Sequence, residues 1–241
     1  MTSQDPYRHH PELRGRIKPA AQSFFRDLDM EALDARIAET GRGPDWRTPC
    51  ALREAARRDW LHGHLDRDLW VFGYGSLMWD PGMEFTEVRR ARAPGYQRSF
   101  CLWDDGGRGS PDQPGLMLAI DAGDWCEGLA FRLDAAQVEH ETFVLFRREM
   151  IAPAYRPVWL PLDTAQGPIT ALGFVADRTC ETIKPDIPHD EQARMIATAQ
   201  GMLGTNFAYL ADTHAHLALL GIDDPYINDI HNRASAYRAS T

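Results

Sequence analysis

The chain has 241 residues, 44% hydrophobic and 25% charged, the composition of an ordinary folded protein rather than of a disordered tail or a coiled-coil rod. Its 26 basic and 35 acidic residues leave a net charge of −9, and without a basic stripe this argues against a nucleic-acid partner. No apolar run reaches the roughly 18 to 20 residues that cross a bilayer, and the first residues are polar rather than signal-like.

The four cysteines, Cys50, Cys101, Cys126 and Cys180, have no C-x-x-C spacing, so neither a disulfide framework nor a structural zinc site is expected. These features together predict a cytoplasmic protein with no membrane span. Charge divides the chain near Asp66: residues 1–66 carry 11 basic and 11 acidic side chains, residues 67–241 carry 15 and 24. Before that seam, Met30, Leu33 and Ile37 recur at helical spacing behind an Asp29 cap, up to a stop at Gly41. A second helix is predicted with Thr48 as cap and Pro49 as first residue, a stripe of Leu52, Ala56 and Trp60, and a stop at Gly63. Two such short helices bury little area by themselves and must pack on the rest of the chain or on another chain.

After the seam come short segments rich in aromatic and branched residues, separated by Gly, Pro and Asp. Six strands are predicted, over 69–73, 96–103, 115–121, 125–133, 155–162 and 169–176. One helix interrupts them, opened by Asp134 with Gln137 at capping-box spacing. Three helices follow: 190–200, then one from Thr205 with Tyr209, Thr213 and Leu217 on one face up to Gly221, then one from Asp224 and Pro225 striped by Tyr226, Ile230, Ala234 and Tyr237. Consecutive strands before a helical block point to an α+β fold, a small closed or partly closed β-barrel of about six strands flanked by helices, with an N-terminal helical extension.

Two places carry candidate chemistry. The segment Val71-Phe72-Gly73-Tyr74-Gly75-Ser76-Leu77-Met78-Trp79 runs an apolar strand into glycines, which let the backbone approach a ligand, and successive N–H groups there can form an anion-holding nest. The same pattern also serves as a plain tight turn. It is not a dinucleotide fingerprint, for the third glycine is missing and no βαβ unit follows. The second place is Glu149. Val138, Thr142, Leu145 and Glu149 recur at +4, +3 and +4, so a carboxylate ends the buried stripe of a helix. Either that helix frays after Phe146, leaving Glu149 solvated or paired with Arg147 or Arg148, or the carboxylate stands at the rim of an apolar pocket. There desolvation raises its pKa and suits it to general-base work.

The remaining candidates are weaker. His214 and His216, like His62 and His64, are two apart and point to different sides of a helix, which does not suit a shared metal ion. Cys101 and Cys126 fall in strands and read as small core residues. Ser76 lacks the Gly-x-Ser-x-Gly elbow of a nucleophile, so it reads as a binding residue. Arg89, Arg90 and Arg92 read as a solvated face or as a loose basic rim for an anionic substrate.

Taken together, the segment 71–79, Gly95-Tyr96, Arg98-Ser99-Phe100-Cys101-Leu102, Arg108-Gly109-Ser110, Pro114-Gly115-Leu116, Gly128-Leu129-Ala130-Phe131-Arg132, Arg148-Glu149-Met150 and Gly204-Thr205-Asn206-Phe207-Ala208-Tyr209-Leu210 resemble, in order, the ChaC family of γ-glutamylcyclotransferases, enzymes that degrade glutathione. The resemblance covers about 160 of the 241 residues. It implies a small β-barrel flanked by helices over 67–241, with 1–66 as an extension lacking a counterpart in compact members. It implies that Tyr74, Gly75, Ser76 and Leu77 hold the γ-glutamyl group, that Glu149 is catalytic, and that Tyr209 lines the same pocket. The implied reaction needs no metal and no cofactor: the substrate's α-amine attacks its own γ-glutamyl carbonyl and releases 5-oxoproline and Cys-Gly. Phe207-Ala208 departs from the more polar pair expected before the tyrosine. Other readings are a cyclotransferase for another γ-glutamyl amine or peptide, and a γ-glutamyl-binding protein without catalysis.

Overall fold

The computed structural model describes residues 5–39 and 43–240. In chain order the elements are α1 (Met30–Ala38), α2 (Cys50–Trp60), β1 (Leu69–Gly73), β2 (Glu87–Asp104), β3 (Gly115–Leu133), α3 (Val138–Glu149), β4 (Tyr155–Thr164), β5 (Ile169–Ala176) and α4 (His189–Thr198). A two-residue hairpin, β6 (Gln200–Gly201) with β7 (Gly204–Thr205), then leads into α5 (Asn206–Leu219) and α6 (Pro225–Ser240). Strands β1 to β5 form a closed barrel in the order β1-β3-β2-β4-β5. Strand β1 pairs antiparallel with β3, Val71 opposite Phe131, and parallel with β5, Trp70 opposite Ala171.

The barrel thus has five strands, where the sequence predicts about six. The predicted strands 115–121 and 125–133 are one element, because Gly123 does not make a turn. It lies under the Gln97 side chain, where a Cβ would come within 2.3 Å, so the glycine serves close packing inside a continuous strand. Strand β2 likewise begins at Glu87, well before the predicted residue 96.

The chain divides into two compact units, Met1–Pro94 with Glu127–Phe174, and Gly95–Cys126 with Val175–Thr241. In the first, Val71, Phe72, Phe131, Val144, Leu160 and Leu172 are buried, each side chain stabilising the fold by roughly 1.5 to 3 kcal/mol through removal from water. Phe146 of α3 meets Phe174 of β5 edge to face, with 5.3 Å between centroids. Gly173 leaves the space that the Leu160 side chain fills.

Asp29 caps α1 as predicted, accepting the N–H groups of Glu31 and Ala32, while the predicted stop at Gly41 lies outside the described residues. Helix α2 differs from its predicted stripe. Leu52 is 64% exposed, and the buried helical positions are Arg53 and Arg57. The reason is electrostatic. Arg57 donates to both carboxylate oxygens of Glu54 (2.8 and 2.7 Å), to Glu139 Oε1 (2.8 Å) and to Thr142 Oγ1 on α3 (2.7 Å), so its charge is paired and its donors are used where it is buried. Trp60 leaves the stripe to stack on Trp159, 4.5 Å between rings. The predicted cap Thr48 instead gives its backbone N–H to Ile151 O at 2.8 Å, and Pro49 takes the cap position.

In the second unit Leu116, Leu118, Ile120, Ile196, Leu210 and Ile227 are buried. Thr205 caps α5 by accepting from the Ala208 N–H, and Tyr209, Thr213 and Leu217 form its buried face as the spacing predicts. Asn206, fully buried, accepts the Leu116 N–H and donates to the Leu116 carbonyl, both at 2.7 Å. Helix α6 buries Ile227, Ile230 and Ala234, whereas Tyr237, predicted on that stripe, is exposed. Among the described residues no helix is long and apolar enough to cross a membrane.

Candidate active site

Strand β1 delivers the chain into the centre of the first unit and stops at Gly73, whose missing Cβ would lie 3.0 Å from the Leu77 Cβ. The chain can therefore fold back over its own strand end. Gly128 of β3 completes the close approach: a Cβ there would come within 2.2 Å of the Gly73 carbonyl. The residues after β1 form a single helical turn, Ser76–Met78, with Gly75 at its cap. Its closure is recorded in the Met78 N–H to Gly75 O bond at 2.8 Å and the Asp80 N–H to Ser76 O bond at 2.9 Å. The leading N–H groups of such a turn have no acceptor inside it and are available to an anionic or polarised oxygen. Tyr74 and Leu77 are buried, and Tyr74 packs against Phe72.

Helix α3 supplies the carboxylate. It does not fray after Phe146 but runs to Glu149, and Val138, Thr142 and Leu145 are buried along the predicted face. Its start differs from the capping-box expectation. The Gln137 and Val138 N–H groups both donate to the Asp134 backbone carbonyl, so a tight turn precedes the helix proper. Glu149 is 14% exposed, and its Oε1 lies 3.0 Å from Arg148 Nε. Both alternatives read from the sequence therefore hold in part: the carboxylate is paired with Arg148, yet withdrawn from solvent. Desolvation is the larger effect and pushes the Glu149 carboxyl above its ordinary value against the opposing pull of Arg148.

Arg148 is the residue that joins these parts, and spacing alone does not find it. Its guanidinium, only 6% exposed, donates through Nη2 to Ser76 Oγ at 2.8 Å and through Nη1 to the Asp80 carbonyl, while Nε faces Glu149. One cation thus bridges the turn and the acid. A buried carboxyl of raised pKa, joined through Arg148 to the Ser76 turn, can accept a proton, hold it and return it.

Tyr209 belongs to the second unit, where it is buried, meets Phe100 edge to face at 6.2 Å and has the Arg108 guanidinium 5.8 Å from its ring centroid. The glycines of the Arg108-Gly109-Ser110 and Pro114-Gly115 segments are explained by packing there. A Cβ on Gly109 would fall 2.2 Å from both Asp104 O and Gly115 N, and one on Gly115 would fall 2.8 Å from Asn206 Oδ1. Cys101 and Cys126 are buried, as predicted for core residues, and burial pushes the Cys101 thiol up to about 11. His214 stacks on His231 with ring centroids 4.2 Å apart. Arg89 pairs with the buried Glu87 and covers the Trp70 ring, while the more exposed Arg90 and Arg92 both face Glu127, which makes these arginines members of ion pairs rather than a free rim.

Comparisons with known proteins place the chain in a family. The family model described as ChaC-like protein matches residues 69–237. The Escherichia coli (strain K12) protein named glutathione-specific gamma-glutamylcyclotransferase is 41% identical over 163 residues, covering 67% of this chain and 71% of its own length. The Danio rerio protein named glutathione-specific gamma-glutamylcyclotransferase 1 is 31% identical over 169 residues, covering 67% of this chain and 86% of its own. Among solved structures, a yeast gamma-glutamyl cyclotransferase specific to glutathione superposes with a TM-score of 0.66 at 20% identity, over 73% of this chain and 99% of that one, which establishes the shared fold. A barrel whose first strand runs into the turn Tyr74-Gly75-Ser76-Leu77, a helix ending in Arg148-Glu149 and a matched stretch of more than half the chain lead to one assignment: the chain belongs to the ChaC-like family.

Proposed function

We propose that this protein degrades glutathione by cyclising its γ-glutamyl group, with Glu149 as the proton carrier and Tyr74, Gly75, Ser76 and Leu77 as the cradle of the glutamyl moiety. The observation that carries this reading is the burial of Glu149 beside Arg148, which in turn holds Ser76 of the turn. The names of the relatives supply the substrate class.

The reaction balances without a second reactant. The α-ammonium gives a proton to Glu149, the freed amine attacks the γ-carbonyl carbon, and the new C–N bond closes a five-membered ring. Glu149 then returns the proton to the amide nitrogen as its bond to that carbon breaks, and the second proton shed by the ring nitrogen passes to the departing amine, releasing 5-oxoproline and Cys-Gly. A folded glutamyl chain held against the turn replaces most of the entropic cost, since aligned intramolecular attacks reach effective molarities of roughly 10⁵ M or more. A carboxyl whose pKa lies above the usual range suits both halves of this traffic better than an ordinary glutamate. N–H groups of the turn receive charge that develops on the carbonyl oxygen or the substrate's carboxylate. For Tyr209 we propose a contribution to substrate binding, which rests on the resemblance of its Asn-x-x-Tyr-Leu segment.

The test is incubation of the purified protein with glutathione and mass detection of 5-oxoproline and Cys-Gly. Turnover by the wild type and its loss in Glu149→Gln are expected; a Gln variant as fast as wild type removes Glu149 from the mechanism. γ-Glutamyl-alanine in a parallel arm separates a glutathione enzyme from a more general γ-glutamyl cyclotransferase.

A further inference from the structure

The faces of the Arg148 guanidinium are as informative as its nitrogens. Its three nitrogens are committed in plane, to Glu149, Ser76 and the Asp80 carbonyl. What remains is the flat surface, and the ring of Phe25 covers it with the guanidinium carbon 4.1 Å from the ring centroid. Phe25 lies outside the family-matched residues 69–237. An aromatic face suits this place because it attracts the cation through its quadrupole without competing for any N–H.

The segment that carries Phe25 is fastened on both sides of it. The Lys18 N–H donates to Trp79 O at 2.8 Å, and Lys18 Nζ reaches Asp80 Oδ2 at 2.7 Å, at the end of the substrate turn. Gly82, at φ +67, keeps room for the Ser23 hydroxyl, and the Phe25 N–H itself donates to Ser23 Oγ at 3.3 Å. Immediately after Phe25, Arg26 holds both oxygens of Glu141 on α3, two helical turns before Arg148. Arg147 closes the link by donating to the Phe25 carbonyl at 3.0 Å and to that of Arg26. By contrast the neighbouring Phe24 is exposed and meets Phe25 at 5.5 Å, so position 25 alone turns its ring onto the cation.

We propose that Phe25 is a positioning residue for the active site: its clamped ring holds the Arg148 guanidinium in the plane that joins Glu149 to Ser76. This rests on the reading of Glu149 and the turn given above. The charged groups around this arrangement are Arg147, Arg148 and Glu149 on α3, Asp80 with Lys18 at the end of the turn, and Arg26 with Glu141 further back along α3. Of these, Arg148 is the one that acts on the Glu149 carboxyl, and it pulls its pKa down. A guanidinium that loses its ring support and drifts therefore lets that pKa rise.

The experiment uses the full chain as wild type, Phe25→Leu, Phe25→Tyr, Arg148→Met and the double variant Phe25→Leu/Arg148→Met, with glutathione as substrate. Phe25→Leu keeps apolar bulk and removes the π face. It should lower kcat roughly thirtyfold, the equivalent of one desolvated cation–π contact, change KM by less than about twofold and move the acid limb of the kcat profile to higher pH. Phe25→Tyr should recover kcat to within about twofold, and the double variant should be no slower than Arg148→Met alone, since the ring acts through that arginine.

A leucine variant with unchanged kcat and pH limb overturns the proposal. So does one slowed to the same degree whether or not Arg148 is present, or one that merely melts earlier with its acid limb in place. Should the leucine variant not fold, Phe25→Met repeats the test. If the wild type is inert toward γ-glutamyl compounds, the reaction is wrong but the positioning is still read from the Glu149 carboxyl resonance in carbon-13-labelled protein. Its titration midpoint rises in Phe25→Leu and not in Phe25→Tyr if the ring orders Arg148, and is the same in all three forms if it does not.

Discussion

Glu54 on α2 and Glu149 at the end of α3 each face an arginine of their own helix, and the two carboxyls move in opposite directions. Glu54 is 28% exposed and accepts from both Arg57 and Arg58, which bring its pKa down to about 2. Glu149, half as exposed, has one arginine, and that arginine divides its donors among Glu149, Ser76 and the Asp80 carbonyl. Desolvation prevails, and the carboxyl rises. An ion pair in itself therefore says little about the role of its members. The balance between donors received and water lost separates a glutamate that supports the arginines docking its helix from one that can carry a proton.

The comparison is broken most directly at Glu149. Replacement by Gln keeps the shape and removes the base, and we expect turnover of glutathione to fall at least a thousandfold, within the range general-base catalysis supplies. The same substitution should raise the melting temperature at neutral pH. A carboxyl whose folded pKa lies above its unfolded value favours the folded state when protonated, and this contribution is lost as pH rises through the folded value. Gln stands in for the protonated form. Thermal melts of the two proteins at neutral pH check this, and a Gln variant that melts earlier removes the claim that burial disfavours the charged carboxylate.

Arg57 gives the opposite signature. Arg57→Met should cost about 2 to 3 kcal/mol in urea unfolding, because it takes from Glu54 and Glu139 their buried arginine, leaving them the exposed Arg58 alone, and deprives Thr142 of a donor. Turnover per folded molecule should be unaffected, which kinetics at saturating glutathione can establish. Glu54→Gln sharpens the point with a smaller effect and a defined pH window. Its carboxylate stabilises the fold fully above the unfolded value of 4.5, and this is lost as pH falls toward about 2. The stability difference between wild type and Glu54→Gln is therefore expected at neutral pH and should shrink steadily in melts below pH 4.5.

Local pattern revealed some of this and concealed the rest. The +4, +3, +4 spacing placed Val138, Thr142, Leu145 and Glu149 on one face because helical period and burial coincide there, and β1 and β5 were bounded correctly by Gly, Pro and Asp punctuation. The pairing of Arg148 with Glu149 was one of the readings the sequence offered, but its link to the turn was hidden, because only its long side chain, bent toward Ser76 from a distant part of the chain, brings the two together. Arg57 was hidden because hydrophobic periodicity assumes that buried means apolar, and its partners on α3 lie more than eighty residues further along the chain. The same holds for Lys18, Phe25 and Arg26, whose contacts with Asp80, Arg148 and Glu141 span the first unit and leave no short-range signature. Gly123 misled for a different reason: a glycine that makes room for a side chain looks, in sequence, like one that makes a turn.

The smallest expected effect is the most pointed for helix α2. Leu52 is the apolar residue on which a hydrophobic-stripe reading of this helix depends, and it is 64% exposed, whereas the helix is docked through Arg57. A leucine in that position hides little surface from water, and its removal leaves no cavity, so Leu52→Ser should change the urea unfolding free energy by no more than about 0.5 kcal/mol. Were the stripe the true buried face, the same change would delete a packed side chain and install a hydroxyl without a partner, at a cost of roughly 3 kcal/mol or more. The gap between these two figures is several times the error of a urea titration, so one pair of unfolding curves decides whether charge or hydrophobicity docks α2 on α3.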